Sequence, residues 1–317
     1  MTTTEVTPTP PRTGKPVTQL GDRIFAGSAK GAGILILVVL AGVAAFLLSE
    51  AFPAIVAPAE ELPGDQNLLV YVWPLLFGTL LSAFLALVVA TPLAICVALF
   101  ISHYAPRRLA QGLGYLVDLL AAVPSIVYGL WGAWTLAPAS VGLSTWLNDY
   151  LGWIPLFAGP VSSTGRTMFV TGLVLAVMIL PIITAVAREV FLQTPKLHEE
   201  AALALGATRW EMIRMAVIPF GRSGVISGAM LGLGRALGET MAVAIVLSVS
   251  GVVTFNLISS GNPSTIAANI ALQFPESSGL AVNTLIASGL VLFVVTLAVN
   301  MLARYIVNRR REFSGAN

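Results

Sequence analysis

The stretch "QTPKLHEEAALALGATRWEMIRMAVIP", residues 193–219, decides the fold, and its first half predicts a short helix followed by a tight turn. Thr194 is expected to cap this helix, because its hydroxyl oxygen can accept one of the free N–H groups of the first turn. Pro195 is expected in the first helical position, where a residue without an N–H leaves no hydrogen-bond donor unsatisfied. Gly206 is expected to end the helix, since glycine readily adopts the positive φ of such a terminus.

The second half of the stretch predicts a second helix. Thr208 and Glu211 form the T-x-x-E pattern of a helix capping box, and Pro219 is expected to end the helix. Apolar windows at about 168–187 and 223–249 flank the stretch on both sides. The sequence therefore predicts a helix–turn–helix hairpin held at a membrane surface between two spans.

The composition of the whole chain agrees with a membrane setting. Of its 317 residues, 56% are hydrophobic and 10% are charged, against about 25% charged in soluble domains. A helix needs about 20 apolar residues to cross the hydrocarbon core of a bilayer. The apolar windows are 33–48, 71–101, 113–136, 168–187, 223–249 and 278–306. We expect an all-α, polytopic membrane helix bundle of about six transmembrane helices, in which Pro92 interrupts the second span.

Basic residues are concentrated on one side of these windows. Of the 17 Lys and Arg residues, all but Arg166 and Arg235 lie before the first window, in alternate loops, or at and beyond the end of the sixth. Cytoplasmic loops carry such an excess of positive charge, so both termini are expected in the cytoplasm. The net charge of +2 suits anionic membrane lipid and requires no nucleic-acid partner.

The chain is expected to divide into four parts. Residues 1–30, which begin with a Thr- and Pro-rich stretch, are predicted to form a disordered cytoplasmic tail. Residues 31–52 are predicted to form an extra N-terminal transmembrane helix, and residues 70–308 the main transmembrane domain. Residues 309–317 are predicted to form a short basic cytoplasmic tail.

The hairpin resembles the EAA loop of ATP-binding-cassette (ABC) importer permeases, whose pattern is E-A-A-x3-G-x9-I-x-L-P. The matching residues are Glu200, Ala201, Ala202, Gly206 and Pro219. The chain departs from the pattern at two apolar positions, with Ala216 in place of Ile and Ile218 in place of Leu. The resemblance implies a coupling helix that docks in a groove of a cytoplasmic ATPase. An amphipathic hairpin lying on the bilayer is the alternative interpretation.

Two further stretches narrow the resemblance. "AAVPSIVYGLWG", residues 121–132, and "GLGRALGETMAVAIVLS", residues 232–248, are similar to PstC-type permeases of phosphate importers. The resemblance implies the type I ABC importer permease fold and transport of inorganic phosphate across the bacterial inner membrane. It also implies that this chain is not itself an enzyme. The implied partners are a PstA-type permease, two PstB-type ATPases that bind ATP and Mg²⁺, and an external PstS-type phosphate-binding protein. It implies no cofactor or metal for this chain itself.

Arg235 and Glu239 are the charged residues inside the fifth window. They are four residues apart, so on one helix they can form an ion pair, and their face is expected to meet protein or water because a charge in lipid is costly. Either the pair is structural, or Arg235 offers N–H donors to phosphate oxygens in the pathway while Glu239 limits the affinity. Ser125, next to Pro124, is expected at a pathway-lining bend or a packing kink.

Three other function classes remain open. A permease for another oxyanion, molybdate or sulfate, would keep the EAA loop, whereas a passive anion channel would not need it. A membrane-embedded enzyme would need acid, base or metal-binding groups clustered at one depth, but Asp118, Arg235 and Glu239 offer no hydroxyl, thiol or amine nucleophile. Cys96 is the single cysteine, and with two separated histidines it forms no metal-site pattern.

Overall fold

The computed structural model describes residues 20–311, with side chains from residue 21 to residue 305. Within that part the chain consists of helices, turns and loops, and its β-type pairing is one isolated bridge between Val249 and Asn262. Six helical segments of the described chain are long and apolar enough to cross a membrane, in agreement with the prediction. Their bounds are Gly21–Val56, Leu68–Tyr104, Ser125–Leu151, Met168–Leu192, Arg209–Leu237 and Leu280–Tyr305.

The chain has two units, which divide within the first helix, α1, at Leu20–Val56. Residues up to Ser49 belong to the first unit. The large apolar side chains of this unit, such as Ile34 and Leu37, are exposed, as suits a helix long and apolar enough to cross a membrane. From Glu50 onward the chain forms the second unit.

The start of α1 corrects one predicted boundary. Residues 20–30 are helical instead of belonging to a disordered tail, and Asp22 in the first turn complements the positive end of the helix dipole. Residues 1–19, the remainder of that predicted tail, lie outside the described residues, as do residues 312–317 of the predicted basic tail.

The remaining helices follow in chain order. They are α2 (Leu68–Leu99), α3 (Arg107–Ala121), α4 (Ser125–Trp131), α5 (Ala137–Leu151), α6 (Met168–Leu192), α7 (Lys196–Ala204), α8 (Arg209–Met212), α9 (Ile218–Leu237), α10 (Met241–Val246), α11 (Ile266–Gln273) and α12 (Leu280–Arg311). π-Helical turns extend α2, join α4 to α5 and join α8 to α9. Their bounds are Phe100–Tyr104, Gly132–Leu136 and Ile213–Val217.

Helix α6 is the central helix of the second unit. Its buried side chains extend along its whole length, from Met168 to Phe191. Helix α2 packs on α6 and contributes a stripe of buried alanines at helical spacing. These are Ala83, Ala86, Ala90, Ala94 and Ala98. Small side chains let helix backbones approach closely, which is the main source of helix association in a membrane.

Three span predictions need correction. Helix α2 continues through Pro92 as an α-helix, which membrane helices tolerate when neighbouring groups satisfy the freed carbonyl. The third window, 113–136, crosses a break between α3 and α4, and the third span is Ser125–Leu151. The fifth window, 223–249, crosses a break between α9 and α10. Hydropathy windows miss such breaks because they average over composition and carry no information on backbone direction.

Candidate functional site

The turn of the hairpin, residues 193–219, forms as the sequence predicts. Gly206 has a φ of +85°. The N–H groups of Gly206 and Ala207 donate to the carbonyl oxygens of Leu203 at 3.0 Å and Ala202 at 3.2 Å, respectively. These two bonds form the Schellman motif, which satisfies the free carbonyls at the end of a helix.

The second helix of the hairpin begins with the predicted capping box. The Glu211 N–H donates to the Thr208 hydroxyl at 3.4 Å, and the Thr208 N–H donates to the Glu211 carboxylate at 2.8 Å. Both orphan N–H groups therefore find partners within four residues of sequence. The shape of this turn is a local property of the chain.

The two ends of the hairpin differ from the prediction. Helix α7 begins at Lys196 with Pro195 at its N-cap, and the buried Thr194 hydroxyl has no hydrogen-bond partner among the described residues. Thr194 therefore does not cap the helix. Pro219 does not end the second helix but lies in the first turn of α9, after the π-turn Ile213–Val217. Residues 209–237 form one continuous helical segment, and the π-turn directly before Pro219 changes the hydrogen-bonding register there, which accommodates the missing N–H.

The EAA residues divide between two faces of the hairpin. Ala202 is half-buried and packs against an apolar cluster at the hairpin end of the bundle. The buried members of this anchoring cluster are Ala98, Leu99, Ala187, Phe191, Met212, Ile213 and Val217. Helices α2, α6 and α8 and the following π-turn all contribute to it, so the hairpin is fixed to the membrane spans on this face.

The other face of α7 is open. Glu200, Ala201 and Gly206 are exposed. Leu197 and Leu205, one turn before and one turn after Ala201, are 74% and 90% exposed. Leucines this exposed on a helix that has a packed face elsewhere are typical of an interaction surface. We call Leu197, Ala201 and Leu205 the docking stripe.

A second candidate region is the place where two breaks in the helical chain come together, which we call the junction. The helical structure is interrupted at 122–124, between α3 and α4, and at 238–240, between α9 and α10. Helix α4 packs on α10, so closely that a Cβ at Gly129 would lie 2.9 Å from the Ala242 Cα. Interrupted helices are typical of substrate pathways in transporters.

Arg235 and Glu239 do not form the ion pair that their spacing predicts. Helix α9 ends at Leu237, so Glu239 lies beyond the helix and off the face that carries Arg235. The buried Glu239 carboxylate instead accepts the N–H of Ala242 at 3.1 Å, at the start of α10. The i, i+4 rule fails here because it assumes a continuous helix.

Arg235 reaches the other break of the junction. Its guanidinium donates to the Ala121 carbonyl at 3.3 Å, and the Tyr128 hydroxyl donates to the adjacent Leu120 carbonyl at 2.8 Å. Both acceptors lie in the last turn of α3, where carbonyls lose their i+4 partners, and the Leu120 carbonyl also accepts the Val123 N–H at 3.3 Å. Among the described residues Arg235 has no ion-pair partner, and its side chain makes a single hydrogen bond, to the Ala121 carbonyl. Most of its five N–H donors are therefore available.

Sequence reasoning missed Tyr128 and gave no role to Arg166. Tyr128 lies in the "VPSIVYG" stretch at the Pro124 break. A tyrosine hydroxyl so close to a proline was the feature of the sequence that could have indicated its role. The Arg166 side chain donates to the carbonyls of Ile245 and Val246, the latter at 3.4 Å, and thereby closes the last turn of α10. The feature that could have indicated this role is that Arg166 is the single basic residue in the loops on the side opposite the hairpin.

Ser125 is the first residue of α4 and lies at the junction with Arg235. Its side chain is partly exposed and makes no hydrogen bond to the described part of the chain. Asp118 is exposed on α3, outside the spans. Among the described side chains, no three or more His, Cys, Asp or Glu groups are arranged to hold a metal ion.

Comparison with known proteins identifies the family. The model of the family described as "Binding-protein-dependent transport system inner membrane component" matches residues 90–312. The chain belongs to this family. As a binding-protein-dependent transport component, it is a multi-pass membrane permease of an ABC transporter complex.

Curated members of the family resemble the chain along nearly its whole length. Phosphate transport system permease protein PstC 2 of Mycobacterium tuberculosis is 47% identical over 298 residues, which are 90% of this chain and 91% of that protein. PstC of Mycobacterium leprae is 46% identical over 317 residues, 96% and 99% of the two chains. PstC of Mesorhizobium japonicum is 37% identical over 313 residues, 94% and 93%. The resemblance inferred from the two motif stretches is confirmed.

Solved structures confirm the fold. A bacterial alginate ABC transporter, in complex with an alginate pentasaccharide-bound periplasmic protein, has a TM-score of 0.62 at 16% identity, over 94% of this chain and 97% of that chain. A bacterial ABC transporter that imports the acidic polysaccharide alginate has a TM-score of 0.56 at 16% identity, over 90% and 98%. This likeness concerns the fold alone, which is that of type I ABC importer permeases, as predicted.

Proposed function

We propose that the chain is the permease subunit of an ATP-driven importer of inorganic phosphate and forms half of its translocation pathway. The observation that carries this proposal is the 46–47% identity, over 90% or more of the chain, with permeases named for phosphate transport. An uncompensated guanidinium at the junction is consistent with an anionic substrate. A related PstA-type permease would supply the other half.

The docking stripe supports a cytoplasmic ATPase as the partner of the hairpin. Leu197 and Leu205 offer apolar side chains, and the small Ala201 between them permits close approach of another surface. We propose that one PstB-type ATPase docks here and a second docks on the partner permease. ATP and Mg²⁺ would bind to these ATPases, and this chain would hydrolyse nothing.

The continuity of the hairpin with the spans supports alternating access. Residues 193–195 join it to α6, and the π-turn Ile213–Val217 joins it to α9, which carries Arg235. Closure of the ATPases on ATP binding would therefore move α9 relative to α3 and open the junction to the outside. ATP hydrolysis would reset it.

Arg235 is the proposed phosphate contact. Its planar set of N–H donors matches the oxygens of a phosphate, and the Ala121 carbonyl occupies one donor in the structure. Binding would exchange that neutral acceptor for a charged one, which keeps the affinity low enough for release. The Ser125 hydroxyl at the same junction is available as a second donor.

Charge supports the orientation. The side of the membrane that carries the hairpin also carries the excess of Lys and Arg, which favours the cytoplasm for this side and for both termini. In the bacterial inner membrane, a PstS-type binding protein would then deliver phosphate to the opposite side. Loops 152–167 and 247–265, which hydrogen-bond to each other, lie there.

The test is phosphate uptake by the complete transporter, with its partner permease, ATPases and binding protein, in vesicles. Arg235→Ala is expected to lower uptake about 10- to 100-fold, the value of one or more hydrogen bonds to a charged group. Arg235→Lys keeps the charge but loses the fork geometry and should fall between. Arg304→Ala, at an exposed arginine of α12, is the matched control and should transport normally.

Each contrary result removes a different part of the proposal. Uptake of molybdate or sulfate instead of phosphate would overturn the substrate but not the permease. Phosphate flux without ATP would indicate a passive channel. Unchanged uptake in Arg235→Ala would leave that residue a structural role, and a hairpin that binds lipid vesicles but no ATPase would support the interfacial alternative.

A further inference from the structure

The end of the second span contacts both helices of the hairpin. Beyond α2 the span continues through the π-turn Phe100–Tyr104, in which the Ala105 N–H donates to the Phe100 carbonyl at 2.8 Å. π-Turns are rare and occur frequently at functional sites. Two side chains of this turn, His103 and Tyr104, make the contacts.

The first contact is a histidine–carboxylate pair with α7, which is an ion pair when His103 is protonated. The His103 Nε2 lies 3.5 Å from the Glu199 Oε1, and its Nδ1 lies 2.7 Å from the Ser102 hydroxyl. The His103 side chain is 8% exposed and the Glu199 side chain 23% exposed. Partial burial protects such a pair from screening by salt.

The second contact is with α8. The Arg209 guanidinium carbon lies 5.7 Å from the centre of the Tyr104 ring, within the range of a cation–π interaction. Adjacent residues of the second span thus hold both helices of the hairpin, on either side of the turn at Gly206. We call His103, Tyr104, Glu199 and Arg209 the clamp.

Chain connectivity explains why the second span would need such a clamp. The hairpin is covalently continuous with α6 and α9, so its movement passes to those helices through the backbone. The second span is remote in sequence, with His103 and Glu199 separated by 96 residues. Movement of the hairpin reaches the second span through side-chain contacts, which include the clamp, the anchoring cluster at Leu99 and the packing of α2 on α6 and α9.

We infer that His103 and Tyr104 are positioning residues that transmit movement of the ATPase-docked hairpin to the second span. This inference rests on the proposed function. The apolar cluster permits sliding, because apolar contacts have little directionality. The histidine–carboxylate pair and the ring contact have preferred geometries, so they fix the register of the hairpin on the span. Without them, ATP would still be hydrolysed, but fewer hydrolysis events would move substrate.

The main test measures phosphate uptake and ATP hydrolysis in the same vesicles, with the complete transporter. His103→Gln and Glu199→Gln are each expected to lower phosphate moved per ATP about two- to fivefold, the range of a single partly exposed polar contact. The double variant should be no worse than either single variant, because both remove one interaction. Glu189→Gln, at an exposed glutamate of α6 that contacts Gln193, is the matched control.

The ring contact provides a second, independent pair of variants. Tyr104→Phe keeps the ring under Arg209 and should retain the wild-type ratio, whereas Tyr104→Leu should lower it. A variant that merely folded or assembled poorly would lower uptake and hydrolysis in proportion and leave the ratio unchanged. An unchanged ratio in His103→Gln, Glu199→Gln and Tyr104→Leu would overturn the inference.

A substrate-independent measurement separates this inference from the proposed function. Cys96, the single cysteine, is exposed on α2, seven residues before His103, so an environment-sensitive fluorophore there reports on the second span when the partner subunits lack cysteine. ATP binding should change its signal in the wild type, and less so in Glu199→Gln. Equal changes would overturn the clamp. Failure of phosphate uptake with an intact ATP response would overturn only the assigned substrate.

Discussion

The hairpin and the junction each contain a motif of closely spaced residues, but the hydrogen bonds of these motifs join residues at very different separations in sequence. In the hairpin, Thr208 and Glu211 satisfy each other across three residues of sequence. In the junction, Arg235 bonds a carbonyl 114 residues away. The hairpin can therefore take its shape before the bundle forms, whereas the junction exists only in the assembled bundle.

The largest expected effect is at the junction, where α4 and α10 touch. A side chain at residue 129 has no room beside the Ala242 backbone, so Gly129→Val should lower the free energy of unfolding by about 3 kcal/mol. Thermal unfolding in detergent measures this. Gly142→Val is the control, since open space surrounds Gly142. Equal losses in both variants would mean that the close approach of α4 and α10 does not occur.

The next effect tests the partner of Glu239. Glu239→Ala leaves the buried start of α10 without its acceptor and should cost about 2 kcal/mol of stability. Glu239→Gln keeps an acceptor oxygen for the Ala242 N–H and should cost less than half as much, in the same unfolding assay. If Gln proves as damaging as Ala, the negative charge is essential, and an ion pair with Arg235 becomes the better interpretation.

A smaller effect is expected at the turn of the hairpin. Gly206→Ala meets no neighbouring atom within 4 Å, so its cost is that of a positive φ alone, about 1–2 kcal/mol. Since the cost is local, binding of the ATPase should weaken about tenfold while the unfolding of the bundle stays unchanged. Gly206→Asn, which tolerates this conformation better, should bind more tightly than the alanine variant. Loss of the bundle itself would contradict a purely local turn.

The smallest effect concerns the capping box. Thr208→Ala removes the hydroxyl acceptor of the Glu211 N–H and should cost about 1 kcal/mol, visible as faster amide exchange in α8. Thr208→Ser keeps the oxygen and should exchange at the wild-type rate. Faster exchange that spreads into α10 would show that the hairpin and the junction are less independent than their bonding indicates.

Particular errors show where sequence reasoning stopped. The third and fifth windows each crossed a break, at Pro124 and at Gly238, because apolar composition does not record the direction of the backbone. Pro92 and Pro219 were expected to stop helices and did not. A proline removes one N–H, and whether this ends a helix depends on what else satisfies the freed carbonyl, which is a tertiary property.

The amino-acid sequence by itself determined the six apolar segments, the turn and capping box of the hairpin, and the motifs that relate the chain to binding-protein-dependent permeases. These depend on hydrophobicity and on bonds within a few residues, which local sequence specifies. The tertiary structure alone decided that Arg235 contacts the end of α3 and that His103 meets Glu199. Those partners are distant in sequence, so only the packed bundle brings them together.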